Sequence, residues 1–230
     1  MTQNSLLETV GGIILCGGAS RRMGRAKAWL PIGDELLLQR VVRRLAEMVD
    51  PVVVAAAAEQ DLPPLPDNVA IIRDSLPNQG PLAGLIAGLN ALRARASAVY
   101  VTACDVPHLQ PAFVARLHVE LGTAAAIVPE RDGRLEPLAA LYRTDLADQL
   151  QARFDAGERA IHRALAGLNV KRIPAEAFRD VDPDLRSLEN LNTPEDYERA
   201  VLGIGDWALG VRGRSKGAGE RGSGGAGEQD

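Results

Sequence analysis

The chain has 230 residues, 46% apolar but only 3% aromatic, which is enough for one sizeable core built from Val, Ile, Leu and Ala, the composition of a parallel sheet covered by helices. A net charge of -4 argues against a large nucleic-acid footprint, which usually needs a concentrated basic surface. The opening MTQNSLLETV is not a basic start followed by an apolar stretch, and no run approaches the roughly eighteen apolar residues of a membrane span, so the expectation is a soluble, cytoplasmic protein.

Residues 1–10 read as a flexible leader and 11–202 as one domain. Gly12 to Cys16 (GIILC) predicts a short buried strand, followed by a glycine-containing loop over Gly17 to Gly24. Leu37 to Met48 sets Leu38, Val41, Val42 and Leu45 at helical spacing, with Gln39, Arg40, Arg43, Arg44 and Glu47 opposite. Val52 to Ala58 and Val69 to Ile72 read as strands, and the prolines at 63, 64 and 66 between them exclude a regular helix. Leu82 to Leu92 is a helix whose small residues, Ala83, Gly84, Ala87 and Gly88, permit close approach to a sheet, and Ala98 to Ala103 is a further buried strand. This alternation predicts a right-handed, largely parallel sheet. Pro111 to Leu121 reads as a helix, Ala124 to Val128 as a strand, Leu138 to Tyr142 as a strand that can run antiparallel, and Leu146 to Ala156 and Ala160 to Ala166 as helices. Thr193-Pro194-Glu195-Asp196 is a helix start, with a capping Thr, Pro in the first turn and acids at the positive end. From Gly203 to Asp230 the chain becomes Gly-rich and reads as a disordered tail. Cys16 and Cys104 lie in apolar runs without the close spacing of a zinc site or a disulfide framework.

Chemistry concentrates in a few segments. Leu15 to Leu30, LCGGASRRMGRAKAWL, sets two glycines directly after a strand and follows them with Arg21, Arg22, Arg25 and Lys27. Glycines let backbone N–H groups approach phosphate oxygens and the cations offset their charge, although neither the P-loop nor the three-glycine dinucleotide pattern is present. In YVTACDVP, Asp105 follows an apolar strand, where a carboxylate can hold Mg²⁺ or serve as an ordinary turn residue. In DSLPNQGPLAG, Gly80 and Pro81 open a helix whose positive end can clamp a nucleotide or simply make a turn. In ENLNTPED, Asn190 and Asn192 can offer amides to an acceptor or form Asx turns. His108, His118 and His162 lack zinc-like spacing and read as solvated or helix-packing residues.

In combination and in this order, LCGGASRRMGRAK, RDSLPNQGPLAG, CDVP, LEPLAALY and NLNTPED resemble the molybdenum cofactor guanylyltransferase family, over about Gly12 to Val201. The resemblance implies an α/β, three-layer, Rossmann-like nucleotidyltransferase fold with a mostly parallel central sheet. It implies Mg²⁺-dependent transfer of GMP from GTP to the terminal phosphate of molybdopterin or molybdenum cofactor, with release of pyrophosphate. Leu15, Cys16, Gly17 and Gly18 would then lie along the nucleotide, and Arg22 and Lys27 would contact phosphates. Asp74 would bind the nucleotide, Asp105 would hold Mg²⁺, and Gly80 and Gly84 would shape the pocket. Arg159, Asn190 and Asn192 would serve the acceptor. A molybdoenzyme or its chaperone is the implied recipient, with no nucleic-acid or membrane partner. One departure stands out: where family members can present an Asn after the second strand, VVVAAAA offers only Ala55 and its neighbours. The alternatives are a cytidylyl or sugar-phosphate nucleotidyltransferase, or a non-catalytic molybdopterin-binding protein.

Overall fold

Strands made of continuous apolar residues need cover on both faces, and two helical layers supply it. The computed structural model describes residues 9–17, 26–73 and 79–208, with the side chains of 203–208 excepted. In chain order the strands are Val10–Cys16 (β1), Pro31–Ile32 (β2), Glu35–Leu36 (β3), Val52–Ala56 (β4), Ala70–Arg73 (β5), Ala98–Ala103 (β6), Ala126–Arg131 (β7), Arg134–Leu135 (β8), Ala139–Arg143 (β9) and Val170–Pro174 (β10). The helices are Leu37–Ala46 (α1), Pro81–Leu92 (α2), Pro111–Leu121 (α3), Leu146–Asp155 (α4), Ile161–Ala164 (α5) and Pro194–Ala208 (α6).

The main sheet runs β10-β7-β9-β6-β1-β4-β5, with β8 beside β7. Its centre is parallel: β1 pairs with β4 on one side and with β6 on the other, and β4 with β5. Strand β9 is antiparallel to both β6 and β7, while β10 is parallel to β7. One face carries Ile14, Val54 and Tyr100 against Leu38, Val41 and Leu45 of α1 and Phe113 and Leu117 of α3. The other carries Ile13, Val53 and Val101 against Leu85 and Leu89 of α2 and Leu146 and Leu150 of α4. These are the three layers expected. Few aromatics are present, and several are used deep inside: Tyr100, Tyr142, Phe113 and Phe178 are fully buried.

Helix α2 lies close on the sheet because its facing residues are small. A Cβ at Gly88 would stand 2.5 Å from Ile13 Cδ1 and 2.8 Å from its Cγ1, so glycine sets the distance between helix and strand.

The structure corrects several expectations. Arg40 and Arg44, opposite the apolar stripe of α1 as expected, are nonetheless covered: their side chains are 14% and 17% exposed, and they donate to the carbonyls of Pro107 and Leu109. The helix expected over 160–166 is a single turn, α5. The small β2-β3 hairpin and β10 were not expected, because two-residue strands carry no period and β10 (VKRIP) is a mixed, partly exposed strand. Helix α6 continues through Gly203 to Ala208, past the expected start of the tail; residues 209–230 lie outside those described, as do 1–8. Among the described residues, no helix is long and apolar enough to cross a membrane.

Candidate active site

Parallel strands deliver the loops that follow them to a single edge of the sheet, where open α/β proteins bind their ligands. In register, Leu15 of β1 lies beside Ala103 of β6, and Cys16 beside Ala56 of β4. Gly17, directly after β1, and Asp105, after β6, therefore emerge side by side. Gly17 is exposed, and among the described residues a Cβ added there would meet no atom within 4 Å. A glycine directly after a buried strand lets the backbone come close to a phosphate.

Lys27, in the 3₁₀ turn Lys27–Trp29, reaches back across the strand ends. Its Nζ stands 2.5 Å from Asp105 Oδ2, and it donates to Asn192 Oδ1 at 3.1 Å. Both Lys27 and Asp105 are largely shielded, with side chains 18% and 12% exposed. Asn192 arrives from the far end of the chain because the Leu191 N–H donates to the Asp105 carbonyl at 3.0 Å. The same segment is fixed as the start of α6. Asp196 accepts the N–H groups of Asn192 and Thr193 at 3.1 and 2.9 Å, and its own N–H donates to Thr193 Oγ1 at 3.1 Å. This is a reciprocal cap. Burial raises the Asp196 carboxyl, but these N–H groups, the Thr193 hydroxyl and Arg199 outweigh it and leave the group below its usual range. Asn190 is exposed just before the Leu191 clip.

The other side of the site is the N-terminus of α2. Gly80 caps it with φ +79°, a conformation that favours glycine, and Pro81 fills the first turn. A Cβ at Gly80 would stand 3.2 Å from the Arg159 carbonyl oxygen and 3.5 Å from the Arg159 Cβ, so the α4-α5 turn rests directly on this cap. A Cβ at Gly84 would lie 3.2 Å from Leu15 Cδ2 and 3.6 Å from the Ala55 Cβ. Ala55 is thus a buried part of the wall formed by Leu15 and Gly84, only 5% exposed.

The cysteines, distant in sequence, become neighbours through the β1-β6 register. They are free thiols, and Gln60 Nε2 donates to Cys16 Sγ at 3.3 Å. The neighbouring Cys104 thiol draws the Cys16 thiol below its ordinary value, while the Cys16 thiol and burial push Cys104 well above it. No single stretch of sequence contains this pairing.

Of the residues singled out from the sequence, Leu15, Cys16, Gly17, Lys27, Asp105, Asn190 and Asn192 gather around the ends of β1 and β6, and Gly80, Gly84 and Arg159 around the start of α2. Gly18, Arg22 and Asp74 lie outside the described residues. Glu158 was not singled out: its mixed-charge neighbourhood in sequence carries no motif, and only its contacts mark it out. Among the described residues no cluster of three or more metal-ligating side chains occurs. The donor set is instead one carboxylate, Asp105, with the Asn192 amide oxygen nearby, which fits a hard cation held mostly by substrate phosphates and water.

An α/β sheet with a glycine, a lysine and a carboxylate at its carboxyl edge fits a nucleotide-handling protein of the nucleotidyltransferase class. Residues 12–171 match the model of the MobA-like NTP transferase domain, and the chain belongs to that family. It is 40% identical over 191 residues to a Mycobacterium avium protein named "Probable molybdenum cofactor guanylyltransferase", covering 81% of this chain and 92% of that one. A Mycobacterium tuberculosis protein of the same name is 40% identical over 190 residues, covering 80% and 89%. Among solved structures, molybdopterin-guanine dinucleotide biosynthesis protein A from Archaeoglobus fulgidus superimposes with a TM-score of 0.70 at 28% identity, over 85% of this chain and 99% of that one. The 4-diphosphocytidyl-2C-methyl-D-erythritol synthase of Anaerococcus prevotii shares the fold, with a TM-score of 0.61 at 12% identity over 86% and 96%.

Proposed function

We propose that this protein transfers GMP from GTP to the terminal phosphate of molybdopterin or molybdenum cofactor. The observation that carries the reading is the meeting of Lys27, Asp105 and Asn192 at the strand ends beside Gly17, in a chain of the MobA-like family. An oxygen of the acceptor phosphate attacks the α-phosphorus of GTP; the new P–O bond forms as the bond to the β-phosphate bridging oxygen breaks, and pyrophosphate leaves. A phosphate nucleophile is already anionic, so positioning and charge neutralisation carry the catalysis rather than a general base.

In this reading Leu15, Cys16, Gly17 and Gly18 lie along the nucleotide, with backbone N–H groups toward phosphate oxygens. Lys27 and Arg22 offset charge on the transferring and leaving phosphates. Asp74 binds the nucleotide, and Gly80 and Gly84 leave room for it at the positive end of α2. Asn190, Asn192 and Arg159 take the acceptor. Asp105 would hold Mg²⁺, which when bound neutralises phosphate charge as a Lewis acid. We place the protein in the cytoplasm, where GTP is at hand and adjacent thiols such as Cys16 and Cys104 stay reduced.

The test is pyrophosphate release from GTP and, separately, from CTP, with molybdopterin and Mg²⁺ present. Release with GTP, abolished in a folded Asp105→Ala protein, is expected. Release with CTP alone would move the assignment to cytidylyl transfer, in keeping with the apolar Ala55. Tight molybdopterin binding without release from either nucleotide would instead mark a carrier.

A further inference from the structure

The turn between α4 and α5 is held by one carboxylate. Glu158 Oε1 accepts the backbone N–H groups of Arg159 and Ala160 at 2.7 and 2.8 Å, and both Glu158 oxygens accept from Arg163 Nε at 3.0 Å. The amides of Ala160 and Arg159 and the Arg163 guanidinium hold the Glu158 carboxyl down at about 2. What these bonds fix in space is Arg159. Its guanidinium lies 3.9 Å above the Phe154 ring and donates to the carbonyls of Phe154 and Glu158, both at 2.8 Å. Its backbone rests on the Gly80 cap of α2. The bonds to Glu158 close the turn, those to Phe154 tie it to the end of α4, and the Gly80 contact ties it to α2.

We propose that Glu158 is a positioning residue for the acceptor: its carboxylate locks the 156–160 turn against the N-terminus of α2 and so presents Arg159 to an anionic, phosphate-bearing substrate. The inference rests on the reading of Arg159 as an acceptor contact. An arginine already ordered in a fixed turn loses little freedom when the acceptor binds, and a floppy one must be ordered at that moment. The effect therefore falls mainly on the acceptor, which Arg159 meets, and less on the nucleotide, which the β1 and β6 ends hold together with the Gly80 end of α2.

The experiment is steady-state kinetics with molybdopterin varied at saturating GTP, and the reverse, for wild type, Glu158→Gln, Glu158→Ala, Arg159→Ala and the double variant Glu158→Ala/Arg159→Ala. Glu158→Ala is expected to raise KM for the acceptor by about tenfold while KM for GTP stays within about twofold, with Glu158→Gln between it and wild type. The double variant should be no worse than Arg159→Ala, because residues acting through one another do not add. Additive losses, or equal rises in both KM values, would overturn the proposal. Tryptic cleavage after Arg159, followed by mass spectrometry without substrate, is expected to accelerate in both Glu158 variants; unchanged cleavage also overturns it. Wild-type protein that turns over no molybdopterin with GTP overturns the functional reading and the acceptor role together, a result seen before any variant is compared.

Discussion

Lys27 and Asp105 are separated by 78 residues, yet their charged atoms are 2.5 Å apart in a partly shielded corner of the sheet edge. A pair so placed does two things at once: it neutralises itself in the free protein, and it can be opened by a triphosphate that offers Lys27 a competing anion. Removing either member should therefore cost activity more than fold. Lys27→Met and Asp105→Asn are each expected to lower kcat by about a hundredfold or more, the scale set by losing one preorganised charge in a site of this kind. Pyrophosphate release checks this, with circular dichroism to confirm folding. Asn192 is tied to the same pair through Lys27 Nζ, so its loss should add little to that of Lys27 in a double variant.

At the scale of elements, α2 is fitted to β1 and α6 is fitted to its own first turn. Gly88→Ala would drive a methyl group to within 2.5 Å of Ile13 Cδ1; relief requires the helix or Ile13 to move. The expected destabilisation is about 1–3 kcal/mol in urea unfolding, the usual result of overpacking a filled core. Thr193 receives the Asp196 N–H, so Thr193→Ala should cost about 1 kcal/mol, the common value for losing a capping hydroxyl. Because the same cap fixes Asn192 through Asp196, that variant should also weaken acceptor binding, and a KM measurement would register it. Most elements were legible from period and punctuation: β1, α1, α2, β6, α3, β9 and α4 stand within a few residues of where apolar spacing puts them. Those that were not, β2, β3, β8 and β10, are short or edge strands, specified by pairing with a neighbour and not by their own pattern.

For the molecule as a whole, pH reports how the layers close over the loop after β6. His108 is half-buried there, and burial, followed by Arg186, Arg40 and Arg44, lowers its pKa to about 4. In the unfolded chain the imidazole takes its proton near the ordinary value of about 6.5. Between those values the unfolded state holds more protons than the native one, so this contribution is complete above about pH 6.5 and is lost as pH falls toward 4. Its size is at most about 3 kcal/mol. Urea midpoints measured from pH 7.5 down to 4.5 should fall in the wild type, and more shallowly in His108→Gln.

The sequence by itself determined the class of fold and named the groups that gather at the edge of the sheet. Apolar runs covered by helices permit few arrangements, and glycines, a lysine and a carboxylate placed after strands keep their meaning wherever those strands lie. Tertiary structure alone decided which of these groups touch. Strand order put Cys16 beside Cys104 and Asp105 beside Gly17, and a backbone bond from Leu191 brought Asn192 to Lys27 across 165 residues. The packing of a turn on Gly80 gave Glu158 its importance. Periodicity records which face of an element is buried, but not which other face it is buried against, and contacts between distant segments depend on that second choice.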